Sequence, residues 1–172
     1  MIVAGCSGGD IRIWDTRNHH RNNTSTSSVV VRPSSSSMIQ SSLFGHKGCI
    51  LDVSQPICSS GYSVISGCIH GRVCFWDVRK EGVVSHIQAH TDQMSAMSVH
   101  RYSPVFATGS LRQSIKLWSL SGSMLSKIEF YDGFVGQRIG QVNTLSFHPS
   151  QMLLSVGCSD AVLSLFGTSS SN

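Results

Sequence analysis

Three groups of residues in this 172-residue chain carry side chains that could do chemistry. The first is Gly5-Cys6-Ser7-Gly8-Gly9, which fits the G-x-S-x-G pattern of a serine hydrolase. That pattern works when a strained turn between a strand and a helix lifts the nucleophile out of the fold. Here the turn runs into Asp10-Ile11-Arg12-Ile13-Trp14-Asp15, whose polar and apolar residues alternate and predict a strand. Ser7 is therefore read as a turn residue, against the alternative of a serine hydrolase. The second group is six cysteines: Cys6, Cys49, Cys58, Cys68, Cys74 and Cys158. None forms a C-x-x-C, and no Cys pair stands beside a His pair at zinc-site spacing. Reduced thiols in a cytoplasmic protein are expected. The third is His19-His20, in a polar stretch that reads as solvated loop. No catalytic, metal-binding or cofactor-binding residue is assigned.

The elements that position these residues repeat. Residues 3–17, 64–79, 106–122 and 154–168 each read as an apolar start, a small residue, Gly, a polar turn and an alternating strand. Each strand ends in an aromatic: Trp14, Trp76, Trp118 and Phe166, at spacings of 62, 42 and 48 residues. Upstream lies a second landmark, His46 and His90, 44 residues apart and each before another alternating strand. Short strands rich in Val, Ile and aromatics, separated by Gly and Ser, predict an all-β chain. The period and its His and Trp-Asp landmarks resemble the WD-repeat family of β-propellers. The strand count predicts about three and a half blades. The first lacks its innermost strand and the last its outermost, so further propeller blades are expected outside this chain.

The resemblance gives the marker residues a physical role. In WD repeats a Trp of the third strand, a Ser or Thr of the second, an early His and a turn Asp form a buried hydrogen-bonded chain. An indole only donates, a carboxylate only accepts, and a hydroxyl does both. The second repeat offers His46, Ser66 and Trp76, with His70 in the Asp place. The third offers His90, Thr108 and Trp118, with Arg112 there. The first has Ala4 at the hydroxyl position. The fourth keeps Asp160 but carries Val156 and Phe166. No repeat is complete, so apolar packing must carry more of these blades. Cys6, Cys68 and Cys158 share one repeat phase, eight residues before the aromatic, and are expected in different blades as small packed residues.

Charge and composition narrow the function classes. Charged residues are 13% of the chain and the net charge is +4. Between Thr16 and Leu51 there is no Asp or Glu, but there are Arg17, Arg21, Arg32 and Lys47. The other nine basic residues face nine acidic ones, so the folded part is neutral and lacks the basic stripe of a nucleic-acid binder. No apolar run approaches the ~18 residues of a membrane span. The predicted division is an incomplete first blade over 1–17, a disordered Ser-rich insertion over 18–37, WD-repeat blades over 38–168 and a tail over 169–172. The insertion would extend the turn between the first blade's two outer strands.

Residues 127–154 lengthen a blade connection where other repeats carry a short His loop. Tyr131, Phe134, Val135 and Arg138 there have the composition of a protein-binding hot spot and are the candidate partner-binding residues. The elements VHR at 99–101, ATGS at 107–110, YDGF at 131–134 with GQR at 136–138, and FHP at 147–149 occur in order. They resemble the C-terminal propeller of the raptor family, the regulatory-associated proteins of the TOR kinase. That resemblance implies a non-enzymatic protein-interaction scaffold of a TOR complex in nutrient and growth signalling, belonging to a much larger protein. A generic WD-repeat adaptor, in ubiquitin ligation or trafficking, is the alternative within the same fold.

Overall fold

The structure is a computed structural model that describes residues 2–14, 38–39, 46–58, 64–77, 82–129 and 140–167. Every regular element among them is a strand. The first sheet holds β1 (Ile2–Gly5), β2 (Ile11–Trp14) and β3 (Met38–Ile39) in that order. The second holds β4 (Ile50–Ser54), β5 (Val64–Cys68), β6 (Arg72–Asp77) and β7 (Gly82–Gln88). The third holds β8 (Met94–Val99), β9 (Val105–Ser110), β10 (Ser114–Ser119) and β11 (Met124–Glu129). The fourth holds β12 (Val142–Phe147), β13 (Leu153–Cys158) and β14 (Leu163–Gly167). All neighbours are antiparallel and sequential, so each sheet is one meandering blade. Three, four, four and three strands make the three and a half blades that the repeat phase predicts. The insertion at 18–37 and the tail at 169–172 lie outside the described residues. The pairing Ile13↔Ile39 and Trp14↔Met38 does join the two outer strands of the first blade across that insertion.

The blades pack face to face in chain order, with one apolar cluster at each junction. Ile11, Ile13, Ile50 and Val64 fill the first. Ile65, Phe75, Met94, Met97 and Phe106 fill the second. Ala107, Ile115, Val142, Leu145 and Val156 fill the third. The strands enclosed on both faces, β5 and β9, read as near-continuous buried runs for that reason.

The junctions share one device. Each innermost strand is bulged after its first residue, between Ile50 and Asp52, Met94 and Ala96, and Val142 and Thr144. The extra residue turns positions i and i+3 to the same face. The pairs Ile50/Val53, Met94/Met97 and Val142/Leu145 thereby press on Gly5, Gly67 and Gly109 of the preceding blade. A Cβ on any of these glycines would lie inside 3.0 Å of at least one member of its pair. The equivalent Gly157 meets only Thr144 of its own blade. Beside it Leu163 and Leu165 are 69% and 63% exposed, whereas the matching Val73 and Phe75 are 0% and 1%.

A second repeated feature is the left-handed residue that closes the turn into each third strand. Gly9 and Gly71 occupy it with φ of 91° and 76°, and Gln113 and Ala161 with 59° and 62°. At Gly71 a side chain would also run into the His90 carbonyl. Gly71→Ala is therefore expected to cost about 2–3 kcal/mol, from left-handed strain and from that backbone contact. Ala161→Gly removes the strain where space is open and is expected to gain about 0.5–1 kcal/mol after the entropy of the added glycine. Urea unfolding of both variants checks the opposite signs.

Candidate functional site

Two hydrogen-bonded chains of polar residues run through the blade cores among the described residues. In the second blade Trp76 Nε1–H donates to Ser66 Oγ at 2.7 Å, and Ser66 Oγ lies 2.7 Å from His46 Nε2. The other face of the ring, Nδ1, looks onto Cys74 Sγ at 4.0 Å. In the third blade Trp118 Nε1–H donates to Thr108 Oγ1 at 2.9 Å, and Thr108 lies 2.9 Å from His90 Nε2. His90 Nδ1 is 3.4 Å from Ser114 Oγ, which is 2.9 Å from Ser110 Oγ. All of these side chains are buried.

Burial, with Arg72 nearby, pulls the His46 imidazolium down to about 4. Burial, with Lys116 nearby, does the same to His90, also to about 4. Both rings are neutral at pH 7 and offer one donor and one acceptor nitrogen each.

The sequence leaves the third blade without a turn carboxylate, since Arg112 stands in its place. The structure supplies one from elsewhere. Asp92 sits two residues after His90. Burial raises its carboxyl, but a hydrogen bond from Ser110, backbone N–H groups of Asp92 and Arg112, and the nearby His90 bring it below the usual range. Its Oδ2 is enclosed with no partner among the described residues. The signal was a second polar residue after the repeat histidine together with serines at 110 and 114.

Asp160 differs from its sequence assignment. It is exposed and accepts the Val162 N–H at 3.3 Å within its own turn. Among the described residues no His or hydroxyl is bonded to it, and Val156 fills the hydroxyl position as a fully buried apolar residue. The fourth blade thus has an apolar interior where the second and third have a polar chain.

Two histidines missed by the repeat argument cap the turns between first and second strands. His100 Nδ1 accepts the N–H groups of Tyr102 at 3.1 Å and Ser103 at 2.9 Å. His148 Nδ1 accepts those of Ser150 at 3.3 Å and Gln151 at 3.1 Å. They are the histidines of the VHR and FHP elements. Tyr131, Phe134, Val135 and Arg138 lie outside the described residues. Ser7 is exposed in a tight turn between β1 and β2, closed by the Cys6 N–H donating to the Asp10 carbonyl at 2.9 Å. That is strand–turn–strand geometry, without the helix a nucleophile elbow requires.

All six cysteines are unpaired; Cys68, Cys74 and Cys158 are buried and Cys6 is half-buried. Among the described residues no three His, Cys, Asp or Glu side chains gather as a metal site. No described helix is long and apolar enough to cross a membrane. A cavity of about 370 Å³ runs along the inner strands, lined by Asp52, Ser95, Ser98, Asn143 and Thr144 among others. Burial pushes the Asp52 carboxyl up, opposed by the Val53 N–H and the Ser54 hydroxyl.

Four-stranded meanders stacked in chain order, each with an indole–hydroxyl–imidazole chain, define blades of a WD-repeat β-propeller. The family model for the WD domain, G-beta repeat, matches residues 37–77 and 82–119. Within that class the chain resembles raptor. It is 34% identical over 166 residues to the Dictyostelium discoideum protein raptor homolog, over 96% of this chain and 10% of that protein. It is 43% identical over 103 residues to the Oryza sativa regulatory-associated protein of TOR 2, over 59% of this chain and 8% of that protein. The crystal structure of Chaetomium thermophilum Raptor superposes with a TM-score of 0.73 at 23% identity, over 97% of this chain and 14% of that one, and shares the fold. The chain spans about a tenth of the length of the curated relatives it matches.

The buried chains predict non-additive mutations. Ser66→Val leaves the Trp76 N–H without its acceptor and is expected to cost about 1–3 kcal/mol. Trp76→Phe alone is also destabilising. Together they should cost less than the sum by at least about 1 kcal/mol, since neither partner is then left unpaired. Additivity within ~0.5 kcal/mol in urea unfolding would show that the hydrogen bond carries no coupling.

The histidines predict the pH dependence. Folded, both stay neutral down to about pH 4; unfolded, they take up protons near 6.5. The unfolded chain binds more protons in between, so stability is whole above pH 6.5, falls as the pH drops to 4, and levels off below. The loss is about 3 kcal/mol per histidine. Urea midpoints measured across that window, repeated with His90→Asn, should show the slope reduced by roughly half.

Proposed function

We infer that this chain is part of a non-enzymatic protein-interaction scaffold. Its partner is the TOR kinase complex, and it acts in nutrient and growth signalling in the cytoplasm. The observation that carries the reading is the likeness of nearly the whole chain to a raptor homolog, in blades whose buried polar groups are bonded to one another. A rigid stack with its polar interior committed to structure presents surface and loops for binding. Ser7 lies in a strand–turn–strand hairpin and not in the strand–turn–helix of a nucleophile elbow.

On this reading the connection between β11 and β12 binds the partner through Tyr131, Phe134, Val135 and Arg138. It is lengthened relative to the other blades and combines aromatics with an arginine. The test is Phe134→Ala with Arg138→Ala in the full-length parent protein. Co-purification of TOR kinase should fall by the ~2 kcal/mol or more typical of a hot spot. The melting curve should move by no more than ~0.5 kcal/mol. Trp118→Ala, whose indole is buried and bonded to Thr108, is the comparison and should cost about 3–5 kcal/mol of stability. A loop variant that unfolds as Trp118→Ala does would make the connection packed structure. One that neither unfolds nor loses the kinase would remove the site assignment.

A further inference from the structure

The connections between first and second strands of the second, third and fourth blades emerge on one side of the stack. β11 ends at Glu129 and β12 begins at Val142 at the opposite end of the blades. The three connections are bonded across the blades. Cys58 Sγ–H donates to the Tyr102 carbonyl at 2.9 Å, joining the second blade's connection to the third's. His100 then joins the third to the fourth. Its Nδ1 accepts two N–H groups and therefore carries no proton, so the proton is on Nε2, which donates to the Gln151 carbonyl at 3.1 Å. The His100 ring is buried and stands edge-on to Phe147 at 5.4 Å.

These fixed connections hold a row of apolar side chains out in solvent. Ile57 is 62% exposed, Tyr102 55% and Met152 38%. Ile57 adjoins Cys58, which is bonded to Tyr102; Met152 follows Gln151, which is bonded to His100. Those two bonds tie together the three connections that carry these side chains. Arg101 lies over the Tyr102 ring, 5.4 Å from its centroid, and is exposed. Residues 54–58, 100–104 and 148–152 contain no Asp or Glu, so nothing within these connections neutralises it. Tyr, Arg, Met and Ile held by pre-ordered backbone are what a binding surface uses, because the entropy of ordering is already spent.

We propose that the ridge of Ile57, Arg101, Tyr102 and Met152 docks an acidic peptide segment of a protein partner. An Asp or Glu of that segment pairs with Arg101, and a neighbouring aromatic or aliphatic side chain packs on Tyr102 and Ile57. The charge selects the partner: Arg101 stands in an apolar row with no carboxylate in residues 54–58, 100–104 or 148–152, which favours a carboxylate next to an apolar residue. It does not depend on the TOR-kinase reading, since it names different residues.

The test is selection of a displayed random-peptide library on the purified protein, with anisotropy of the enriched peptides as the readout. Enriched sequences should place Asp or Glu beside Phe, Tyr, Trp or Leu. Arg101→Glu and Tyr102→Ser should each weaken them about tenfold or more. Leu125→Ser, an exposed apolar change on β11, should leave binding unchanged. Both ridge variants alter exposed side chains and should melt as the wild type does. The proposal is overturned by no enrichment, by enriched peptides without acidic residues, or by equal affinity for wild type and Arg101→Glu. Equal displacement of the peptides by phosphatidylserine vesicles or by poly(U) would also overturn it, in favour of a membrane or a nucleic acid.

Discussion

A buried indole N–H has to find an acceptor, and that requirement organises the middle of this structure. Trp76 and Trp118 are buried, and each donates to a single hydroxyl, Ser66 or Thr108. The hydroxyl is bonded in turn to an imidazole that the connection before the blade's first strand must deliver. One donor therefore fixes a third strand, a second strand and the loop before the first strand relative to one another. Leaving any member unpaired costs the desolvation of a polar group, about 1–3 kcal/mol. Removing all members together costs far less. The fourth blade takes that second route, with Val156 and Phe166 in place of hydroxyl and indole.

That difference explains how the sequence was legible and where it was not. The aromatic ends, the glycines and the phased histidines mark strand and turn positions directly, because each does one job in one place. The blade count and strand order follow from them. Asp92 was not legible, since a carboxylate can reach the turn from a neighbouring loop without keeping its repeat position. Asp160 misled for the converse reason: it keeps the position but serves no imidazole or hydroxyl among the described residues. The bulges at Leu51, Ser95 and Asn143 leave little trace in the sequence, since an inserted strand residue looks like a loop boundary. His100 and His148 stood in recognisable elements, but their work is to accept backbone N–H groups, which a side-chain pattern does not announce.

The left-handed turn position carries a similar lesson about tolerance. Gly9 and Gly71 each face backbone carbonyls of the next blade's histidine loop, and no side chain fits there. Gln113 and Ala161 accept the same backbone conformation. Strain of ~1–2 kcal/mol per site is bearable only because strands on both sides of the turn hold it in place. The glycine is thus dictated by the adjacent blade more than by the turn itself.

The two ends of the blades consequently differ in kind. At one end the turns into the third strands interlock with the histidine loops, and polar groups such as Ser110 and Ser114 are bonded within their own blade. At the other end the connections need only join a first strand to a second, and one bond each from Cys58 and His100 ties them across blades. Side chains there are released from packing. Ile57, Arg101, Tyr102 and Met152 are exposed because the fold has no structural use for them, on backbone that the fold nevertheless holds still. A surface that is ordered for one reason and unoccupied for another is where a stacked-blade protein can present a binding edge without weakening its own core.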